Sequence, residues 1–184
     1  MLPYSENKKL TVINLFGGPG VGKSATAWTL SGMMKKTGMN MEYVPEAAKD
    51  YTWEGRHNIL TEQDFIFAEQ HGRIRRLVGK VDYVVVDSPI ILGFMYMPDD
   101  FPKSFKAYVM DTFHTYDNVN VLLKRTVPYD PNGRNQTLDE AKEIDVELRQ
   151  FLVDNNIKFI ETDVTQNIAE RLFSMVRNIK LFPR

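Results

Sequence analysis

Hydrophobic positions along the 184-residue chain fall into two alternating rhythms. Five short apolar runs rich in β-branched residues, Thr11 to Phe16, Met41 to Val44, Tyr83 to Val86, Val119 to Leu123 and Ile157 to Ile160, are separated by stretches with a helical period. Val84, Val85 and Val86 run without polar alternation, the pattern of a strand buried on both faces. Strands and helices in regular alternation predict an α/β fold, a five-stranded parallel sheet with helices on both faces. Thr61 with Asp64 predicts a capping box that opens a helix running to about Gly79, and Thr137 with Glu140 predicts another running to about Asp154. Leu138, Ala141, Ile144, Leu148 and Phe151 share one face of the latter, and Ile168, Leu172, Met175 and Ile179 share one face of a last helix. These faces are core and carry no functional message.

In such sheets ligands bind beyond the carboxyl ends of the strands, which directs attention to the residues after each run. After the first stands FGGPGVGKSAT, containing Gly17-x-x-x-x-Gly22-Lys23-Ser24, the spacing of the Walker A or P-loop motif in its required strand, loop, helix setting. The residues Gly17, Gly18, Pro19, Gly20, Val21, Gly22, Lys23, Ser24 and Ala25 therefore predict a cradle for the phosphates of ATP. Glycines let backbone N–H groups turn inward, and the following helix adds the positive end of its dipole. Lys23 is expected to reach the β and γ phosphates, and the Ser24 hydroxyl to ligate Mg²⁺.

Carboxylates follow the next two strands. Glu46 is placed to accept a proton from an attacking hydroxyl, although Pro45-Glu46 is equally the start of a helix. Asp87 ends Tyr83-Val-Val-Val-Asp87, the Walker B arrangement, with its role divided between metal and acceptor hydroxyl; a turn-starting Asp before Ser-Pro is the structural alternative. Lys124, Arg125 and Arg134 flank the turn-rich TVPYDPNG, which reads as a lid loop at about 125–137 whose arginines neutralise charge during transfer, or else as a solvated loop. Gln63, Phe67, Gln70, Ile74 and Leu77 share a helical face, so Gln70 is a candidate reader of a base edge or a glutamine bonded to backbone. Tyr51, Trp53, Phe94, Tyr96 and Phe101 are candidates to wall an acceptor pocket, or core. Arg73, Arg76 and Lys80 fit a polynucleotide stripe less well than a solvated face.

Composition narrows the field. The chain carries 23 Lys plus Arg against 24 Asp plus Glu, so bulk charge directs it to neither nucleic acid nor anionic membrane. Without cysteine, disulfides, thiolate metal sites and thiol nucleophiles are excluded. His57, His71 and His114 have no metal-ligand spacing. The N-terminal MLPYSENKK is no signal sequence and no apolar run approaches the roughly 18 residues of a membrane span, so a soluble, cytoplasmic protein is expected, a single domain over residues 1–184.

Taken together, these residues resemble the P-loop kinases of the nucleoside and nucleotide kinase group, and most closely the ribosylnicotinamide kinase domain of the NadR type, over about Leu10 to Ile160. PEAAKDYTW is similar to the Glu-Pro-x-x-x-Trp neighbourhood of deoxynucleoside kinases, implying Glu46 as base and Trp53 near the acceptor. Where those kinases carry Asp-Arg-Ser this chain has Asp87-Ser88-Pro89, which shifts the acceptor-holding arginine to Arg56. PYDPNGR resembles the Asp-x-x-Arg lid of the NadR kinase domain, implying a phosphate contact for Arg134. The resemblance further implies strand order 2-3-1-4-5 and an adenine border near Asp163 to Thr165. It predicts transfer of the γ-phosphoryl of ATP to a hydroxyl of a nucleoside-like acceptor, with Lys23, Glu46, Asp87, Arg125 and Arg134 catalytic, Ser24 and Asp87 on Mg²⁺, and Glu46, Trp53, Arg56, Gln70 and Asp87 at the acceptor. A hydroxymethyluracil base within DNA is an alternative acceptor, and a nucleotide-hydrolysing switch or motor is the rival of another class. No Asn-Lys-x-Asp guanine signature supports a GTPase, and the length leaves no room for the helical lid domain of an AAA-type motor. The oligomeric state stays open, a homodimer included.

Overall fold

The structure is a computed structural model that describes residues 9–98, 100–126, 128–132 and 136–181, the last three without their side chains. Five parallel strands form one sheet in the order β2-β3-β1-β4-β5: β1 Thr11–Phe16, β2 Met41–Val44, β3 Tyr83–Val86, β4 Asp117–Lys124 and β5 Ile160–Asp163. This is the order the resemblance implied. Between them run α1 Lys23–Lys36, α2 Ala47–Trp53, α3 Gln63–Arg75, α4 Lys103–His114, α5 Leu138–Asp154 and finally α6 Ile168–Leu181.

Alternate residues of each strand point to opposite faces, so the central strands feed two cores. Val12 and Phe16 of β1 join Val84 and Val86 of β3 beneath α3, α4 and α5, where Phe67, Ile74, Phe113, Leu148 and Leu152 complete the layer. Ile13 and Leu15, with Val85, Val121 and Leu123, pack against α1 and α6 through Leu30, Met34, Leu172 and Val176. One polar residue breaks this rule in β1. Asn14 is buried, and its amide donates to Asn118 Oδ1 at 2.9 Å and to Asn120 Oδ1 at 3.0 Å, pinning β1 to β4 in the register that sets Asn14 opposite Asn120.

The strands β1, β2 and β3 begin and end where hydrophobicity places them. The fifth does not: β5 starts at Ile160, where the apolar run had predicted its end. Ile157 instead closes α5, its N–H donating to Leu152 O at 2.9 Å while its side chain sinks into the core. β5 is an edge strand paired with β4, and an edge needs little apolar surface, so only Thr162 of its four residues is buried.

The two capping boxes part company. At α5, Thr137 accepts from the Glu140 N–H and Glu140 accepts from the Thr137 N–H, the reciprocal bonds the sequence predicts. At α3 the box does not form. Residues His57–Thr61 coil into a 3₁₀ turn, the Thr61 hydroxyl donates to Asn58 O at 2.8 Å, and Glu62 stands at the N-cap. The helix also stops at Arg75, short of Gly79, which lies at φ 75° in the turns that follow.

Candidate active site

Strand order reverses around β1, so the ends of β1, β3 and β4 open onto one crevice at the carboxyl edge. The loop after β1 turns there because of its glycines. Gly17 lies at φ 148°, and a Cβ on it would stand 2.6 Å from Val21 Cγ1. Gly22 is the N-cap of α1 at φ 103°, a conformation an L side chain rarely adopts, and it uses no side-chain cap. The first turn of α1 therefore offers N–H groups uncommitted to a side-chain cap toward the loop, the arrangement that suits phosphate.

Lys23 opens α1 with its ammonium folded onto the loop, donating to Gly17 O at 2.6 Å and Gly18 O at 2.9 Å. Burial lowers its pKa, and the negative charges of Glu46, Asp87 and Asp145 oppose that in decreasing order, with Arg125 adding to the lowering. The lysine thus senses both carboxylates the sequence nominated, one that it did not, and Arg125.

Asp87 follows β3 and is only 2% exposed. The Tyr43 hydroxyl of β2 donates to its Oδ2 at 2.7 Å, while Oδ1 is buried with no hydrogen-bond partner. Burial pushes the Tyr43 phenol up, and Asp87 pushes it further. An orphaned carboxylate oxygen whose charge reaches Lys23 is a hard-oxygen donor of the kind Mg²⁺ takes. Among the described residues no cluster of three His, Asp or Glu forms an all-protein metal cage.

Glu46 is the N-cap of α2, but its side chain makes no capping bond. The N–H of Ala47 is taken instead by Gln70 Oε1 at 2.8 Å, reaching over from α3. Glu46 thus stands at a helix start, as its alternative reading has it, where the helix N-terminus favours its charge. The Glu46 charge raises the pKa of Lys23, Tyr43 and Tyr96, behind a larger effect of burial on both tyrosines, which places it among them.

Arg125 stands at the start of the 125–137 segment between β4 and α5. Its Nε donates to Asp145 Oδ2 at 2.8 Å, its Nη2 to Ala141 O at 3.4 Å, and its guanidinium lies 5.9 Å from the Tyr129 ring centre. Asp145 turns its other oxygen to the P-loop, accepting the Gly18 N–H at 2.6 Å. The Tyr129 ring lies against Gly20, where a Cβ would come within 2.7 Å of it. Arg125, at the start of the 125–137 segment, and the loop after β1 are tied together by α5.

The remaining candidates divide. Gln70 is buried on α3 beside the Glu46 turn. Trp53 ends α2, seven residues or about 10 Å along the helix from Glu46, and is 67% exposed. Arg56 pairs with Glu54 at 3.1 Å and lies over Tyr51 at 5.2 Å. The described contacts bring neither to the Lys23 cluster. Arg134 lies outside the described residues. Arg73 is withdrawn from the basic stripe, held by Asp50 at 2.7 Å and reaching Pro45 O, and Lys80 falls beyond the helix, so the three cations share no helical face. Lys124 pairs with Asp163 across β4 and β5 at 3.2 Å.

Tyr43 and Asp145 are the residues sequence reasoning passed over. Tyr43 sits inside a strand pattern, where an aromatic is ordinary. Asp145 carries a faint signal: four residues after Ala141 and three before Leu148, it puts a charge on the flank of the buried stripe of α5.

The AAA domain family matches residues 12–171. The chain belongs to that family. In structure this AAA domain is similar to the NadR protein solved in complex with NAD and AMP-PNP, with a TM-score of 0.72 at 14% identity, covering 95% of this chain and 51% of that one. It thus spans about half the length of that NadR chain, and at this identity the likeness is one of fold. The APS kinase CysC of Mycobacterium tuberculosis also aligns, with a TM-score of 0.48 at 13% identity over 94% of this chain and 99% of that one. No curated protein matches the sequence. Among the described residues no helix is long and apolar enough to cross a membrane.

Proposed function

We propose that this AAA domain is a phosphotransferase that moves the γ-phosphoryl group of ATP to a hydroxyl of a nucleoside-like acceptor. The observation that carries this reading is the convergence on Lys23 of two strand-end carboxylates, Glu46 and Asp87, and of the lid-base Arg125. Carboxylates on two separate strands suit a bound metal and an acceptor hydroxyl at once. The backbone of residues 20–25 binds the phosphates, and Lys23, freed from the Gly17 and Gly18 carbonyls, donates to them. Ser24 and the open Oδ1 of Asp87 would hold Mg²⁺, which supplies charge neutralisation on the phosphates. Glu46 orients the acceptor hydroxyl and takes its proton as the acceptor oxygen bonds to phosphorus and the bond to the ADP oxygen breaks. Arg125, with Arg134 as a second lid cation, stabilises the charge spreading onto the transferred group. Trp53 and Arg56 remain candidates for the acceptor side.

A radiolabelled γ-phosphate screen tests this, offering free nucleosides, ribosylated nicotinamide, nucleoside monophosphates, and DNA with and without hydroxymethyluracil. Label moving to one acceptor class is the expected result. Label released only as free phosphate would replace the kinase with a hydrolase or switch.

A further inference from the structure

Tyr129 stands in the segment between β4 and α5, and its ring rests on the loop after β1. A Cβ on Gly20 would lie 2.7 Å from Tyr129 Cδ2 and 2.8 Å from Cε2, distances that side chains do not sustain. Gly20 also holds φ 76°, a conformation an L side chain rarely adopts, so the ring has its seat only because the residue is glycine. The Tyr129 hydroxyl donates to Gln136 O, just ahead of the Thr137 cap of α5. The side chain is thus held at both ends, by the loop and by the chain entering α5.

Arg125 lies between the same two parts. Its guanidinium is 5.9 Å from the Tyr129 ring centre, within the range of a cation–π contact. Both terminal nitrogens face the loop: a Cβ on Gly18 would be 3.3 Å from Nη2, and one on Gly20 would be 3.4 Å from Nη1. Asp145 takes Nε and Ala141 O takes Nη2 at 3.4 Å, whereas Nη1 is buried without a hydrogen-bond partner. A buried charged donor left so costs stability. A second cation shares the loop, because Lys23 donates to Gly17 O and Gly18 O and the Arg125 charge lowers its pKa. Two cations turned onto one loop repel, and an anion held by that loop relieves both. The guanidinium fork is rigid, so the aim of Nη1 follows from whatever fixes the plane. Asp145 grips one edge, Ala141 only loosely another, and the Tyr129 ring is the third described contact.

We infer, resting on the phosphate-binding reading of the loop, that Tyr129 is a positioning residue: seated on Gly20, its ring holds the Arg125 guanidinium so that Nη1 meets an oxygen of the ATP phosphates. Tyr129 acts through Arg125.

The test is a double-mutant cycle read by calorimetric binding of Mg·AMP-PNP. Tyr129→Leu keeps apolar bulk on Gly20 and removes the π face, and should weaken binding by about 3- to 10-fold, the scale of one partly desolvated cation–π contact. Tyr129→Phe keeps the face and should stay within about 2-fold of wild type. Arg125→Ala should weaken binding by about 10- to 100-fold, and adding Tyr129→Leu to it should change nothing further. A ring that merely props the loop would cost the same in both backgrounds. Thermal unfolding checks that each variant folds; Arg125→Gln, which keeps a donor for Asp145 and loses the charge, replaces Arg125→Ala if that variant does not. Wild-type affinity in Tyr129→Leu, a Phe variant as weak as the Leu one, or additive losses overturns the inference. No binding of Mg·AMP-PNP by the wild type overturns it together with the phosphate-binding reading. The labelled-phosphate screen scores transfer separately. Non-additive losses with label released only as free phosphate would sink the kinase and spare the role of Tyr129; additive losses with label reaching an acceptor would do the reverse.

Discussion

Gly22 to Lys36 and Glu46 to Arg75 both bring residues to the carboxyl edge of the sheet, the first through backbone conformation and a helix docked on the core, the second through side-chain ties. The P-loop needs only glycines at positive φ and a long helix with Ala27, Leu30 and Met34 buried beneath it. The α2–α3 segment has a short helix, a 3₁₀ turn and two exposed aromatics, Trp53 and Phe65, and is fastened by Gln70 to Ala47 and Arg73 to Asp50. On the proposed reading the contrast has a reason: a phosphate chain is the same in every nucleotide, so its cradle can be built from backbone, whereas an acceptor varies and the side proposed to meet it is built from exchangeable side chains.

The largest effect on this contrast should come from Lys23→Ala, which removes a charge from the backbone-built side. Labelled phosphoryl transfer should fall by about 10³-fold, the scale for one preorganised electrostatic donor. Transfer within a few-fold of wild type would end the kinase assignment.

Asp145→Ala cuts the tie between the two loops. It leaves Arg125, whose side chain is 12% exposed, without its carboxylate and the Gly18 N–H without its acceptor. A loss of about 2–3 kcal/mol in chemical unfolding is expected from such charge-assisted bonds, with transfer down by about 10- to 100-fold. Stability lost with transfer intact would reduce Asp145 to a strut.

Tyr43→Phe is gentler, since it removes only the hydroxyl that holds Asp87 Oδ2. Transfer should fall by about 10-fold, with a stability cost of about 1 kcal/mol. An unchanged dependence of rate on Mg²⁺ concentration would count against Asp87 as the metal carboxylate.

Smallest is Thr137→Ala, which opens the α5 capping box at a cost of about 1 kcal/mol, or some 2–4 °C in thermal midpoint, whereas Thr61→Ala should cost less because no box exists there. The Thr137 N–H holds Glu140 below the ordinary carboxylate pKa. That contribution is present above the ordinary value and fades as pH falls through the lowered one; Thr137→Ala keeps this N–H and loses the Oγ that accepts the Glu140 N–H, so its deficit should persist into acid.

What could be read without coordinates follows the same division. β1, the P-loop and β3 were legible to the residue, because burial on both faces and glycine spacing are local signals. Glu46 and Asp87 were legible as positions after strands. Gln70 was visible on its helical face, but its bond to Ala47 spans 23 residues and its orientation could not be inferred. Tyr43 and Asp145 act on partners 44 and 127 residues away, and no periodicity encodes such pairs. β5 was misplaced because Ile157 is hydrophobic for the sake of a helix end, and the α3 box because Thr61 found an earlier carbonyl.

The bond from Gly18 to Asp145 also sets an order of events in time. It closes 127 residues of chain, and β1 itself lies between strands that begin at residues 83 and 117. Such distant closures are late steps in folding. Synthesis reaches the loop after β1 long before α5, yet that loop is fastened only after α5 has been synthesised and docked. If the loop binds nucleotide as proposed, that competence waits on α5, and fragments ending before α5 should fail to acquire it.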